Sequence, residues 1–154
     1  MIKEINIKDR KAAEQVLSVQ LPAYKIEAEI IGCPDLPPLK DTADALRITG
    51  ETFFGYFIGE TLCGAISFKE ENNVLDIHRL IVHPEHFRKG IAQKLLNFIE
   101  LRPMIEKMIV TTGSKNTPAV AFYLKNGFKE LEKIEINESL TITAFEKYLL
   151  LLDD

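Results

Sequence analysis

The residue types best suited to chemistry lie between Leu80 and Ala92, where a short apolar run leads through a turn into an amphipathic pattern. The turn carries two adjacent cations, Arg88 and Lys89, followed by Gly90. The first N–H groups of a helix have no acceptor within it, and the helix dipole adds positive character, so such a terminus binds phosphate. Glycine lets an anion approach the backbone closely. The pattern predicts a binding site for a phosphate group, unless Gly90 merely starts a helix and both cations are solvated.

The strand that precedes this turn carries two titratable side chains, Asp76 and His78. Side chains alternate between the two faces of a strand, which predicts one shared face for Asp76, His78, Leu80 and Val82. On that face, Asp76 or His78 is a candidate general base, acting directly or through water. The alternative is an exposed Asp76 paired with Arg79 or Lys69.

The three histidines, His78, His83 and His86, fall within nine residues and raise the question of a metal site. Their spacing matches no zinc signature, and no cysteine lies nearby to complete a tetrahedral set. We therefore expect no metal.

The elements that position these residues follow from periodicity and from turn residues. The predicted order is β-α-α-β-β-β-α-β-α-β-β, a mixed α/β fold in one domain over residues 1–154. Pro22 interrupts the helical pattern between Asp9 and Ile31 and predicts a break there. Gly59-Glu60 predicts a tight hairpin, and the tail predicts strands over 129–136 and 140–150.

Two segments resemble the cofactor motifs of the GCN5-related N-acetyltransferase (GNAT) family. In the first, Val82-His83-Pro84-Glu85 leads into Arg88-Lys89-Gly90-Ile91-Ala92, with Phe87 where the family has its first Gln or Arg. The second runs from Val110 to Phe128 and ends, as in the family, with an aromatic residue, a basic helix end and Gly-Phe. The resemblance implies a mostly antiparallel central sheet with helices on both faces.

The resemblance also implies roles for individual residues. Backbone amides of residues 88–92 hold the pyrophosphate of coenzyme A, and backbone groups near Ile81 and Val82 hold the pantetheine arm and the acyl carbonyl. Asn116 is a cofactor contact or helix cap. The full set of implied cofactor-binding residues is Leu80, Ile81, Val82, Phe87, Arg88, Lys89, Gly90, Ile91, Ala92, Asn116, Ala119, Phe122 and Tyr123.

The family places a thiolate-protonating tyrosine at the position of Tyr123, whose alternative role is that of a packed helix aromatic. Asp76 falls where histone-modifying members place a glutamate base. Tyr24 and Glu27, on the first helical segment, are candidates for holding a cationic acceptor, unless they are simply the polar face of that helix. The implied activity is acetyl transfer from acetyl-CoA to a primary amine by direct attack. The alternatives are an inactive acyl-CoA-binding sensor or assembly module, and a structural domain that binds no nucleotide.

Net charge, the length of apolar runs and the cysteines restrict the classes of binding partner that we expect. The net charge is −4 with both signs intermixed, which lacks the basic stripe of a nucleic-acid binder. No apolar run approaches the ~18 residues of a membrane span, and Cys33 and Cys63 form no disulfide framework. We expect a cytoplasmic protein whose partner is a small-molecule or peptide amine, with no nucleic acid or membrane bound. A homodimer is also expected to be possible, formed by pairing of the apolar last strand, Leu140 to Leu152.

Overall fold

The computed structural model describes residues 1–149. Within them, the chain forms seven strands, four α-helices and two short 3-10 helices. The elements are β1 Ile2–Ile5, α1 Arg10–Ile31, a 3-10 turn Pro37–Lys40, α2 Ala43–Arg47, β2 Thr52–Ile58, β3 Thr61–Glu71, β4 Val74–Val82, a 3-10 turn Pro84–His86, α3 Ile91–Glu100, β5 Lys107–Gly113, α4 Thr117–Lys125, β6 Lys129–Asn137 and β7 Leu140–Tyr148. This order of α-helices and strands confirms the predicted one.

The seven strands of the described chain form one sheet in the order β1-β2-β3-β4-β5-β7-β6. Only β4 and β5 pair in parallel, and every other neighbouring pair is antiparallel. One apolar core lies between the sheet and helices α3 and α4, and a second lies between the sheet and helices α1 and α2. The mixed, mostly antiparallel sheet with helices on both faces is therefore confirmed.

The predicted break at Pro22 is wrong, because α1 runs without interruption from Arg10 to Ile31. Asp9 caps its start by accepting a hydrogen bond from the Ala12 N–H at 3.0 Å, and Gly32 ends it in the left-handed conformation. Proline removes only one bond of the helix ladder. Buried residues on both sides of Pro22, from Ala13 to Ile31, hold the helix against the sheet and outweigh that loss.

The alternation predicted for β4 is also wrong, because the strand contains a bulge. Ser67 of β3 pairs with Arg79, and the next residue, Phe68, pairs with Ile77, so that His78 is an extra residue without a partner. Leu80 and Val82 consequently pack on the α3–α4 face of the sheet. His78 and Arg79 both approach Glu51 on the α1 face, so His78 does not share a face with Leu80 and Val82.

Strand β7 lies inside the sheet, with β5 on one side and β6 on the other. Residues 140–148 thus have no free edge, which contradicts the expected pairing of this strand across a dimer. The expected strand also included residues 150–152, which lie outside the described residues. A homodimer itself stays a prediction. In the part of the chain that the structure describes, no helix combines the length and apolar character needed to cross a bilayer.

Candidate active site

A cleft opens in the sheet where β4 and β5 separate. The two strands pair only over Val74–Ile77 and Lys107–Val110, although β4 continues to Val82 and β5 to Gly113. Beyond that point β4 pairs with β3 alone and β5 with β7 alone. Residues 78–82 therefore present one edge of free backbone N–H and C=O groups, to which an extended amide-containing chain can bind as an added strand.

The turn between β4 and α3 presents a row of free donors at the same end of the cleft. Arg88 and Gly90 adopt left-handed conformations with φ of 65° and 72°, and no side chain caps the helix that begins at Ile91. Within the described chain, the backbone N–H groups of residues 88–93 donate to no acceptor, and the first bonded amide is that of Lys94. Such a concave run of amides at a helix start suits a diphosphate.

Charged and apolar side chains surround these amides. Arg88 and Lys89 are exposed, and Lys89 Nζ lies 2.9 Å from His86 Nδ1. Phe87 is 45% exposed and places an apolar ring, not a cation, at the entrance of the turn. The donor set therefore fits an anion through the backbone, with side-chain cations only at the rim.

Gly64 of β3 is a site residue that the sequence reasoning missed. A Cβ atom at this position would lie 2.8 Å from Ile91 Cγ2 and 3.0 Å from the Ile81 carbonyl oxygen. The start of α3 can therefore lie directly against the sheet only because residue 64 lacks a side chain. A glycine inside a strand signals such a close approach.

Tyr123 combines a packed ring with an available hydroxyl. It is only 6% exposed, and its ring lies among Phe122, Phe128 and Phe145 with centroids 5.2–5.9 Å away. Its hydroxyl has no hydrogen-bond partner among the described residues. Burial raises the pKa of Tyr123, and the nearby negative charge of Glu27 raises it further. The phenol therefore keeps its proton at neutral pH.

Helix α1 brings Tyr24 and Glu27 towards Tyr123. Glu27 Oε1 accepts a hydrogen bond from Asn116 Nδ2 at 2.8 Å. Burial raises the pKa of Glu27, and hydrogen bonds from Asn116 and Thr112 partly oppose this effect. The pKa of Tyr24 is raised by burial first and by the charge of Glu27 second. Asn116 also caps α4 by accepting from the Ala119 N–H at 3.4 Å.

The bulge in β4 brings Asp76 and His78 together with a third residue, Glu51. His78 Nε2 lies 3.3 Å from Asp76 Oδ2, and His78 Nδ1 lies 3.3 Å from Glu51 Oε2. The alternative pairing of Asp76 with Arg79 or Lys69 is wrong, since its ion-pair partner among the described residues is His78. No motif or periodicity points to Glu51, because its contacts depend on the bulge and on strand pairing.

Metal-binding clusters are absent from the described residues: nowhere in residues 1–149 do three or more His, Cys, Asp or Glu side chains form a group that could hold an ion. Two open surface pockets within residues 1–149 lie elsewhere, one beside α2 near Arg47 and one at the end of α1 near Gly32. The titratable residues and free backbone groups described above are associated instead with the open cleft between β4 and β5.

Comparison with known proteins agrees with this geometry. The model of the acetyltransferase (GNAT) family matches residues 15–128, which is most of the chain. The chain therefore belongs to the GNAT acetyltransferase family, and the resemblance seen in its motifs is confirmed.

Two solved structures show the same fold. The PaiA N-acetyltransferase of Thermoplasma acidophilum, in complex with coenzyme A, has a TM-score of 0.75 at 23% identity over 97% of this chain and 99% of its own. The ribosomal-protein-S18-alanine N-acetyltransferase of Escherichia coli has a TM-score of 0.77 at 11% identity, covering 100% of this chain and 96% of its own.

A curated relative, the UPF0157 protein YqkA of Bacillus subtilis (strain 168), is 38% identical over 149 residues. The alignment covers 96% of this chain but only 43% of the relative. The chain thus spans less than half the length of this relative, whose name states no activity.

Proposed function

We propose that this protein transfers an acetyl group from acetyl-CoA to the nitrogen of a primary amine. The observation that carries the proposal is the row of free backbone N–H groups at residues 88–93, beside the unpaired edge of β4. Family membership supports acyl transfer in general, and the coenzyme A complex of the Thermoplasma acidophilum protein supports the donor.

The donor would be held mainly by backbone groups. In this proposal the amides of residues 88–92 bind the diphosphate, and the free edge from Leu80 to Val82 pairs with the amide-containing arm. Ala119 and Phe122, on the first turns of α4, line the other side of that arm. Backbone groups near Ile81 and Val82 also donate to the thioester carbonyl oxygen, where negative charge develops during attack. The protein thereby orients two substrates and performs no covalent step itself.

The acceptor would enter from the α1 side. Tyr24 and Glu27 hold its cationic form, and the pair Asp76 and His78 takes the ammonium proton. The free amine nitrogen then bonds to the carbonyl carbon while the carbon–sulfur bond breaks. The nitrogen loses a second proton to water, and the sulfur takes one from Tyr123 Oη, which is reprotonated from solvent. The products are an amide and a thiol, so atoms and protons balance.

One departure of the sequence from the family motif favours a second candidate function. Phe87 occupies the position of the family's first basic or amide side chain and is 45% exposed. A chain that retains the backbone seat but lacks this contact is suited to a binding module that holds acyl-CoA without chemistry. This module is the alternative to the enzyme.

An acceptor screen distinguishes the two functions. Calorimetry with coenzyme A first establishes binding, and the protein is then incubated with acetyl-CoA and panels of amines, amino sugars and peptides. Mass spectrometry detects acetylated products, and a thiol reagent detects released coenzyme A. An acetylated amine is the expected result. Binding without any acetylated amine would favour the sensor or assembly module, and absence of coenzyme A binding would contradict both functions.

A further inference from the structure

We infer that Glu51 is a positioning residue that orients His78 for proton transfer, a role that rests on the proposed acetyltransferase function. Glu51 lies just before β2, away from both sequence motifs, and no motif or alternation pattern points to it. It acts through the His78 ring and does not touch the substrates.

The Glu51 carboxylate is fixed by two neighbours, Arg79 and Ser67. Its Oε1 accepts hydrogen bonds from Arg79 Nη1 and, at 2.7 Å, from Ser67 Oγ. Arg79 is in turn held by Gln20 Oε1 at 3.1 Å and by Asp41 Oδ2 at 3.2 Å. These bonds use one oxygen of Glu51 and leave Oε2 facing His78 Nδ1.

The difference in burial between Glu51 and Asp76 indicates which carboxylate fixes the position of the His78 ring proton. Each ring nitrogen lies 3.3 Å from one carboxylate oxygen, so distance alone does not separate them. The side chain of Glu51 is 7% exposed, whereas that of Asp76 is 46% exposed. Because electrostatic contacts are stronger away from water, Glu51 retains the ring proton on Nδ1. The distance exceeds the usual hydrogen-bond length, as is common for catalytic contacts before substrate binds.

The consequence for the reaction is a defined ring orientation. With the proton on Nδ1, Nε2 is the nitrogen that accepts a proton from the substrate, and the accepted proton would lie between Nε2 and Asp76 Oδ2. His78 is also the first residue of β4 beyond the last pair with β5, so the ring sits where the cleft opens. A carboxylate that fixes the tautomer and direction of an imidazole base is a familiar arrangement in enzymes.

The test combines kinetics with a nitrogen spectrum. Glu51→Gln should lower kcat about tenfold or more on the acceptor found in the screen, the range typical of orienting partners, and leave KM for acetyl-CoA within about twofold. In a His78→Asn background, the same substitution should change kcat by less than about twofold. Glu100→Gln is the matched control, since Glu100 forms a comparable partly buried ion pair with Lys147 at 2.9 Å, and it should change neither constant.

Long-range ¹H–¹⁵N spectra at alkaline pH read the tautomer without any acceptor. His78, assigned by the loss of its signals in His78→Asn, should carry its proton on Nδ1 in the wild-type protein and lose that preference in Glu51→Gln. If Glu51→Gln does not fold, Glu51→Asp, which keeps the charge for Arg79 but withdraws it from His78, takes its place. An Nε2-protonated ring in the wild type, or equal losses of kcat with and without His78, would overturn the inference. If the screen yields no acetylated amine, the proposed function is contradicted instead. The tautomer measurement then still tests whether Glu51 holds the proton of His78 on Nδ1.

Discussion

At the scale of single residues, the position of Tyr123 fits both a packing role and the proposed chemical role. Its ring lies against three aromatic side chains of the core, whereas its hydroxyl has no partner among the described residues. Both interpretations of Tyr123 in the sequence, a packed aromatic and a proton donor, are therefore compatible with its position. The raised pKa of Tyr123, caused by burial and then by Glu27, keeps the phenol protonated at neutral pH, as the proposed role of proton donor requires.

Replacement of Tyr123 by Phe removes the hydroxyl and keeps the ring. We expect kcat to fall by about 10²-fold, the lower part of the range for general acid catalysis, while coenzyme A affinity and thermal stability stay nearly unchanged. Steady-state kinetics and calorimetry measure the two effects. Tyr148→Phe is the control, because Tyr148 is 69% exposed. An unaltered kcat would show that the general-acid assignment is wrong.

At the scale of elements, the start of α3 is the part of the fold most directly shaped for a ligand. Its position depends on Gly64, which lets Ile91 contact the sheet, and on Gly90, whose positive φ turns the chain into the helix. The amides of residues 88–93 are exposed to an anion because neither a side chain nor a preceding turn accepts them. Stability and binding therefore make opposite demands on negative charge at this terminus.

Replacement of Ala92 by Glu separates these demands. A carboxylate in the first turn of a helix interacts favourably with the dipole and should stabilise the fold by about 0.3–1 kcal/mol. The same charge should repel the diphosphate and weaken coenzyme A binding at least about tenfold, a cost of about 1.4 kcal/mol. Ala92→Gln, which is similar in size and neutral, should have a much smaller effect on binding. Thermal melts and calorimetry measure both quantities, and equal coenzyme A affinities for the Glu and Gln variants would contradict the placement of the diphosphate.

At the scale of the whole molecule, the described residues form three apolar clusters, and two of them fill the space between the sheet and the helices on its two faces. In the proposed function, the core beneath α3 and α4 would support the coenzyme side, and the core beneath α1 and α2 would support the acceptor side. Titratable groups cluster between them, where α1 crosses the sheet and delivers Glu27 to Asn116. The protein therefore keeps a carboxylate in a partly buried place at some cost to stability.

The pH dependence of stability should reveal that cost. Because burial raises the folded-state pKa of Glu27 above its ordinary value of 4.5, the folded state binds the proton more tightly than the unfolded state. The resulting stabilisation is fully present below that ordinary value and is lost as pH rises through the folded pKa. Glu27→Gln, which still accepts from Asn116, should thus melt higher than the wild type at alkaline pH and similarly near pH 4. Exposed Glu138→Gln should show no such trend, and a lower melting temperature for Glu27→Gln at alkaline pH would contradict the assignment.

Local sequence signals predicted much of this architecture. Gly59-Glu60 correctly predicted the hairpin between β2 and β3, and the predicted strand over 129–136 matches β6 to within one residue. The motif around Gly90 correctly placed the start of α3 within a few residues. Each of these features is fixed by neighbours in the chain, namely turn residues, prolines and periodicity.

Features that depend on distant contacts were not accessible from the sequence. The bulge at His78 arises from the register with β3 and reverses which side chains share a face. Glu51 reaches His78 only through that bulge, and α1 passes through Pro22 because the sheet supports it on both sides. Alternation and proline rules describe isolated segments, and here tertiary packing outweighs both.

A crystal structure of the protein with coenzyme A tests the central claim most directly. We predict a diphosphate within hydrogen-bond distance of the amides of residues 88–92, with the pantetheine arm along β4 and its sulfur near Tyr123. A coenzyme bound at another surface, with those amides facing only solvent, would contradict the account.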